Sequence, residues 1–579
     1  MTSQASGEFY ALRQMSPARA IAESAFNLKN KGRQPRVVSP AEAYEMACAL
    51  PWVAVTDLPM DRGRAEVLGL DPITAKVIVD NHGGTVGRTA SARVLYNRLP
   101  RNRKERCEFL LREGVYDLQR RHDLIIGECV VGMDPALQFK ARLLTSADDA
   151  ANLFFWFANF LPLSAAPDYA DSTKHPIGDI LFVAHPDYQP PADSPWGPAL
   201  VVVDEMHNTI FNFGLRYFGE RKKGTLTLAW TGAQRLGHVS AHGGLKEIDF
   251  SGCPETARHG KKTIAFYGLS GSGKSSHTNS PDNGGTLPPG VGRRVAHDDA
   301  FQIDLDRQLC YVWEPTLFDK TDGRQIDHPD WRHCVGVMNN LVAEVDGRIL
   351  PDGRDCRNHN GRAIFSRDLL GATANRLGFP DFICWLMKDD TLPPIVKIDN
   401  RDLAVALGAS LMTKRSSAEN VAPEEMQQLV FEPFANPFRV YPLYEDCLGY
   451  GRVFDHGCQC YVFSGGGGGW WNGGGRAAAK PVPLKTSLAL QTAVLTGALD
   501  WEPWDLLPGA CLPTRESVNK IQPGYYDDYD PRTAPNQADY LATLRDRFAQ
   551  RRAFLNNSDV RERPELLARL TAALTLGSH

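Results

Sequence analysis

What the sequence lacks narrows its function before any motif is read. No uninterrupted apolar stretch reaches the roughly 18 residues that a membrane-crossing helix needs, so no membrane span is expected. The opening Met1-Thr-Ser-Gln-Ala-Ser-Gly has no basic region followed by an apolar one, so it does not read as a secretion leader. There is no excess of positive charge: 64 Lys and Arg face 68 Asp and Glu, a net charge of −4. Without a global basic field, a nucleic-acid backbone is not the expected partner. Cys-x-x-Cys is also missing. The closest pair among twelve cysteines, Cys458-Gln-Cys460, is one residue too tight for the usual zinc or redox spacing, so reduced, mostly core thiols are expected. A soluble, cytoplasmic-type protein remains, with its oligomeric state open and a monomer compatible.

What is present points to a large folded protein. Hydrophobic residues make up 43% and charged residues 23% of the chain, ordinary values for a globular core. At 579 residues the chain exceeds the size at which single cores stop growing, so two lobes are expected, divided as 1–237 and 238–579. Residues 1 to about 120 read as helical segments with Arg-rich loops. Leu124 to Val131, Phe139 to Leu144, Ile180 to Ala184 and Ala199 to Val203 read as strands, and Ala147 to Phe160 as a helix. Thr225 to Trp230 alternates at period two, the pattern of a strand, and Lys262 to Tyr267 is a β-rich run feeding a glycine-rich turn. Pro281 to Gly292 and Ser464 to Arg476 read as loops, and Asn536 to Leu576 as terminal helix. The fold class is mixed α/β.

The chemistry concentrates at Gly268-Leu269-Ser270-Gly271-Ser272-Gly273-Lys274-Ser275, followed by Ser276. Glycines at these spacings let successive backbone N–H groups face phosphate oxygens. Lys274 adds a point charge near the β/γ phosphates, and the Ser275 hydroxyl suits Mg²⁺. Farther on, Arg294-Val-Ala-His-Asp-Asp-Ala-Phe301 sets Asp298 and Asp299 after a short β run, where metal carboxylates of a nucleotide site would stand. Alone, such a pair would more simply be a solvated turn.

These segments resemble the ATP-dependent phosphoenolpyruvate carboxykinase family, whose loop reads Gly-Leu-Ser-Gly-Thr-Gly-Lys-Thr. Other landmarks follow in order over roughly residues 80 to 530. Val86-Gly-Arg88-Thr resembles Thr-Gly-Arg-Ser, whose arginine binds the substrate carboxylate. Tyr217-Phe-Gly-Glu-Arg-Lys222-Lys223-Gly resembles Tyr-Gly-Gly-Glu-Met-Lys-Lys-Gly, where the tyrosine borders the substrate and the second lysine is a manganese ligand. Val239-Ser-Ala-His242 stands at the metal-binding histidine. Arg293-Arg-Val-Ala-His-Asp298-Asp299 resembles Arg-Arg-Leu-Ile-Gly-Asp-Asp, its first aspartate in the magnesium–ATP shell and its second on manganese. Val312-Trp-Glu314 through Lys320-Thr, Asn360-Gly-Arg362, Leu392-Pro-Pro, Trp471-Asn-Gly-Gly-Gly-Arg476 and Leu484-Lys-Thr-Ser487 match further segments.

The resemblance implies a two-lobed carboxykinase-like fold and ATP, Mn²⁺ and Mg²⁺ at the site. It implies substrate contacts from Arg88, Tyr217, Lys223 and Arg362, with Lys222, Lys274 and Asp298 also in the catalytic set. Lys223, His242, Asp299 and Ser275 are the implied metal ligands, and Glu314, Arg476 and Ser487 lie on the nucleotide side, where Lys480 or Lys485 could replace Arg476. The implied reaction is loss of carbon dioxide from oxaloacetate or a related keto acid, followed by phosphorylation of the enolate. Departures such as Ala-His-Gly-Gly-Leu for Met-His-Cys-Ser-Ala-Asn, and Glu314-Pro-Thr-Leu-Phe for Glu-Gly-Gly-Cys-Tyr, leave two alternatives. One is a kinase of another small carboxylate without decarboxylation; the other is a non-catalytic nucleotide-binding regulator.

Overall fold

The computed structural model describes residues 15–27, 34–82, 87, 93–171, 178–269, 271–355, 357, 360–414, 428–465 and 482–577. The fold is mixed α/β, with six sheets among the described residues. Two compact units emerge. The first holds the described residues of Met1–Leu236 and Trp313–Leu369, and the second those of Gly237–Val312, Leu370–Ser416 and Pro423–His579. Residues 313–369 therefore group with the N-terminal part of the chain, whereas the sequence pattern assigns them to a 238–579 lobe.

The first unit is built on an eight-stranded sheet whose middle runs Leu124–Asp134, Leu137–Ser146, Ile180–His185, Thr209–Phe213 and Leu200–Asp204. All but Thr209–Phe213 are the apolar runs expected as strands, and all five are buried along almost their whole length. The helix Ala150–Asn159 has all ten residues buried. A helix apolar on every side belongs in a core. Its Leu153, Phe154, Phe155, Trp156 and Phe157 contribute roughly 1.5–3 kcal/mol each by leaving water. A five-stranded sheet, in the order Thr316–Lys320, Arg362–Ser366, Cys334–Met338, Lys76–Asp80 and Val53–Pro59, completes this unit's framework.

Two local expectations are corrected in the first unit. Thr225 to Trp230 is not a strand but the middle of the helix Phe218–Arg235. From Phe218 to Ala233 every residue except Lys223 is buried, so burial on all sides erased the 3.6-residue pattern and left a chance alternation. Gly224 lets this helix close on the sheet, since a Cβ there would stand 2.6 Å from Ile210 Cδ1. The Arg-rich stretch from Arg101 is likewise not loop but the helix Arg101–Arg121, with Cys107, Leu110, Leu111 and Leu118 buried at helical spacing. The arginines lie largely on its solvated side, and Arg101 pairs with Glu105 one turn on.

The second unit contains a mixed eight-stranded sheet: Gly292–His297, Gly243–Asp249, Lys261–Tyr267, Phe382–Met387, Gln459–Ser464, Ile395–Ile398, Ala510–Pro513 and Trp501–Pro503. The third, fourth and fifth strands run parallel. Their carboxyl ends, Tyr267, Met387 and Ser464, therefore lie at one edge of the sheet, the place where open α/β sheets present their loops to ligands. Pro281 to Val291 is loop as expected, apart from one turn, Asp282–Gly285, in which all four φ angles are positive, and Gly292, expected as loop, opens the first strand of the sheet. Terminal helices Gln537–Asn557 and Pro564–Ala573 follow. The first is anchored by Arg551, fully buried and 2.6 Å from the equally buried Asp389 at the end of the fourth strand.

Candidate active site

In the second unit the strand Lys261–Tyr267 runs into the segment 268–273, and the short helix Lys274–Asn279 begins at its lysine. Gly271 and Gly273 have φ of 83° and 92°, a region that side chains with a Cβ rarely enter. At Gly268 a Cβ would stand 2.2 Å from Ser272 Oγ, so the loop can fold over itself only with glycine there. Leu269 is buried beneath it, and Ser275 and Ser276 are exposed. Ser270 lies outside the described residues.

The acid pair follows the strand Gly292–His297, which is two places from Lys261–Tyr267 in the same sheet. Lys274 Nζ donates to Asp299 Oδ1 at 3.2 Å, and Ser275 Oγ donates to Asp298 Oδ2 at 3.1 Å. Asn279 Nδ2 reaches the same Asp298 oxygen at 3.1 Å. His242 Nε2 lies 3.1 Å from Asp299 Oδ1. Its Nδ1 is 2.5 Å from the carbonyl oxygen of Ala435, which can only accept, so Nδ1 carries a proton. Ala435 and its neighbour Phe434 hold that carbonyl from a turn with φ of 53° and 51°. Five expected site residues, His242, Lys274, Ser275, Asp298 and Asp299, are thus brought together.

The donor set suits the cations that the sequence implied. An imidazole nitrogen and a carboxylate oxygen form the mixed N/O set that Mn²⁺ accepts, and a hydroxyl beside a carboxylate suits Mg²⁺. Among the described residues, no group of three or more His, Cys, Asp and Glu side chains could hold a metal, so further ligands would have to come from other donors. Ser487 is half-buried in the helix Leu484–Leu495. That helix is tied to the turn Asp282–Gly285 by Asn283, whose Nδ2 donates to Leu488 O at 2.9 Å and Thr492 Oγ1 at 2.8 Å. Arg476 lies outside the described residues.

The first unit gathers a second set. Tyr217 is buried just before the helix Phe218–Arg235, and Lys222 on its first turns is fully buried, 3.3 Å from the fully buried Glu314. Asn159 also donates to Glu314. Lys222 Nζ stands 5.4 Å, and the Arg362 guanidinium 5.5 Å, from the centre of the Phe318 ring. Arg362 pairs in register with Lys320 across the antiparallel strands and donates through Nε to Asn360 Oδ1 at 3.0 Å. Burial, followed by repulsion from Arg362, pushes the Lys320 ammonium below its ordinary pKa. Lys223 is half-buried with Nζ 5.8 Å from the Trp230 ring centre. Arg88 lies outside the described residues. Glu314 thus sits with Lys222 in the first unit.

Sequence reasoning assigned no role to Lys320, which it reached only inside a matched segment. Its place opposite Arg362 depends on strand register. The carbonyl of Ala435 leaves no trace in residue type at all.

The second unit is therefore that of a mixed α/β protein with a lysine, a serine, an imidazole and two carboxylates clustered beside a glycine-bearing loop at one sheet edge. The family model for phosphoenolpyruvate carboxykinase matches residues 88–522, and the chain belongs to that family. It is similar to the phosphoenolpyruvate carboxykinase (ATP) of Aeropyrum pernix, 26% identical over 48% of this chain and 53% of that protein. It is also similar to phosphoenolpyruvate carboxykinase (ATP) 2 of Moorella thermoacetica, 25% identical over 62% and 64%. A third relative, from Bradyrhizobium sp. strain ORS 278, is 24% identical over 64% and 65%. The matches span between about half and two thirds of these relatives' lengths. Among the described residues, no helix is long and apolar enough to cross a membrane.

Proposed function

We propose that the chain is an ATP- and divalent-metal-dependent carboxykinase that decarboxylates oxaloacetate, or a related keto acid, and phosphorylates the enolate that remains. The observation that carries this reading is the convergence of Lys274 and His242 on one oxygen of Asp299, beside Ser275 on Asp298. A lysine held on a carboxylate next to a glycine-bearing loop is poised to exchange that carboxylate for a phosphate oxygen. His242 and Asp299 would hold Mn²⁺, and Ser275 with Asp298 would hold Mg²⁺; when bound, these ions supply positive charge against the phosphates and the enolate.

The chain's own groups do the rest. Backbone N–H groups of the loop and the Lys274 ammonium orient the polyphosphate. Arg362, with its planar donor fork, and Lys320 opposite it offer two cations to a small carboxylate. Lys222, neutralised by Glu314, holds the strand carrying Phe318 and Lys320 in place rather than adding free charge. Loss of carbon dioxide from the keto acid leaves an electron pair as the enolate, whose oxygen attacks the γ-phosphorus while ADP departs. No protein base is needed for that step, because positioning and charge neutralisation carry it.

Phe318 supports the second reading, a kinase of another small carboxylate. Its ring, under both Lys222 and Arg362, stands where the resembled segment has tyrosine, so the carboxylate side has lost a hydroxyl. The test is incubation with oxaloacetate, ATP, Mn²⁺ and Mg²⁺, following phosphoenolpyruvate and ADP together. Their equal appearance supports the carboxykinase, and ADP formed only with a different carboxylate supports the kinase.

A further inference from the structure

The residue just before the acid pair is a histidine, where the resembled segment has glycine. His297 is the last residue of the strand Gly292–His297, pairs with Leu245 on the neighbouring strand, and has no exposed surface. Its ring turns back over the chain that follows. Nδ1 accepts the backbone N–H of Asp299 at 3.0 Å and that of Ala300 at 3.4 Å, and lies 3.9 Å from Asp298 Oδ1. On the other side of the turn, Asp299 O accepts the N–H of Gly243, the residue after His242. The backbone of Asp299 is therefore fixed at both its polar atoms: its N–H by His297 and its carbonyl by Gly243, which opens the strand directly after His242.

We infer that His297 is a positioning residue whose ring nitrogen caps the Asp298–Asp299 turn and sets where both carboxylates point. Capping by a side-chain acceptor two and three residues upstream is the device that Asn, Asp and Ser use at turns and helix starts. A buried imidazole does the same with a rigid ring whose orientation the surrounding sheet determines. An acceptor role requires Nδ1 to be unprotonated, which fixes the tautomer. The capping geometry stands on its own; its functional consequence rests on the reading of Asp299 and His242 as holders of a divalent cation.

The distinction from simple core filling lies in the acceptor, and two substitutions separate them. His297→Leu fills space but cannot accept. His297→Asn is smaller, but its Oδ1 reaches the same two N–H groups. Mn²⁺ binding to the purified full-length chain, read from the loss of the free-ion electron paramagnetic resonance signal, should weaken about 10- to 100-fold in His297→Leu. In His297→Asn it should stay within about threefold of the wild type, as expected where one good cap replaces another. Hydrogen exchange of the amides of Asp299 and Ala300, measured without metal, should be faster in His297→Leu and near wild type in His297→Asn. Equal Mn²⁺ affinity and equal protection in the two variants would overturn the inference. If the wild type takes up no Mn²⁺, the cation reading fails, and the exchange comparison still decides whether His297 holds the turn.

Discussion

Lys274 reaches across 25 residues of sequence to place its ammonium 3.2 Å from Asp299 Oδ1. The same oxygen faces His242 Nε2 at 3.1 Å, so one carboxylate holds both the loop lysine and the imidazole. An incoming polyphosphate with its cation would relieve this crowding, the cation taking Asp299 and His242 and the lysine turning to phosphate. Substitution of Lys274 by Met keeps the stem and removes the charge. It should lower kcat/KM about 10²- to 10³-fold, as loss of a single charge-stabilising donor does. Because Lys274 is not a core residue, the thermal midpoint should move little. Steady-state kinetics beside a melting curve check both.

The Lys222–Glu314 pair makes a different prediction, about stability. Both side chains are fully buried, and Asn159 donates to the other Glu314 oxygen. Glu314→Gln should destabilise the protein by about 3–5 kcal/mol, because it removes the negative charge 3.3 Å from a buried ammonium. The double variant Glu314→Gln/Lys222→Met should recover part of that loss. Urea unfolding of the wild type, both single variants and the double variant gives the coupling directly; additivity would show the pair to be inert.

Lys246 predicts a pH dependence. Its fully buried Nζ donates to His277 O at 2.5 Å and Asn283 Oδ1 at 2.9 Å, two acceptors that a neutral amine can satisfy. Burial, and then repulsion from Arg293, brings the group from its ordinary 10.5 down to about 7. Between those values the unfolded chain binds a proton that the folded chain does not, so folding stability from this group rises with pH across that window. The penalty is complete below about 7 and gone above 10.5. Lys246→Met should flatten the rise in unfolding free energy between about pH 7 and pH 9. An unchanged slope would show that Lys246 is charged in the folded protein.

On the carboxylate side, Arg362→Lys keeps the charge but loses the planar fork. A loss of about 10- to 100-fold in kcat/KM for the keto acid is expected, the worth of one charge-assisted hydrogen bond. The KM for ATP should hold. Initial rates with each substrate varied in turn test this, and an equal rise in both KM values would count against a carboxylate role.

Much of the fold and of the candidate site is legible in the amino-acid sequence, for identifiable reasons. Leu124–Asp134, Ile180–His185 and Lys261–Tyr267 are short β-branched or aromatic runs, and a strand's period needs only a few residues to show. The loop from Gly268 and the pair Asp298-Asp299 are readable because residue types at fixed spacing carry the family resemblance. The helix Phe218–Arg235 is hidden because burial on every side removes the amphipathic stripe. Lys320 opposite Arg362, the Ala435 carbonyl on His242 and the ring of His297 over its own turn are products of register and long-range packing, which residue order does not record. Arg88, Ser270 and Arg476 lie outside the described residues, and their roles rest on resemblance.

The most direct test of the central claim is phosphorus-31 NMR of the protein with oxaloacetate, ATP, Mn²⁺ at trace level and Mg²⁺. The γ-phosphoryl signal should pass into phosphoenolpyruvate as ADP forms, and Lys274→Met should slow the transfer about 10²- to 10³-fold. ATP that stays intact, or that yields only inorganic phosphate with oxaloacetate present, would contradict the account.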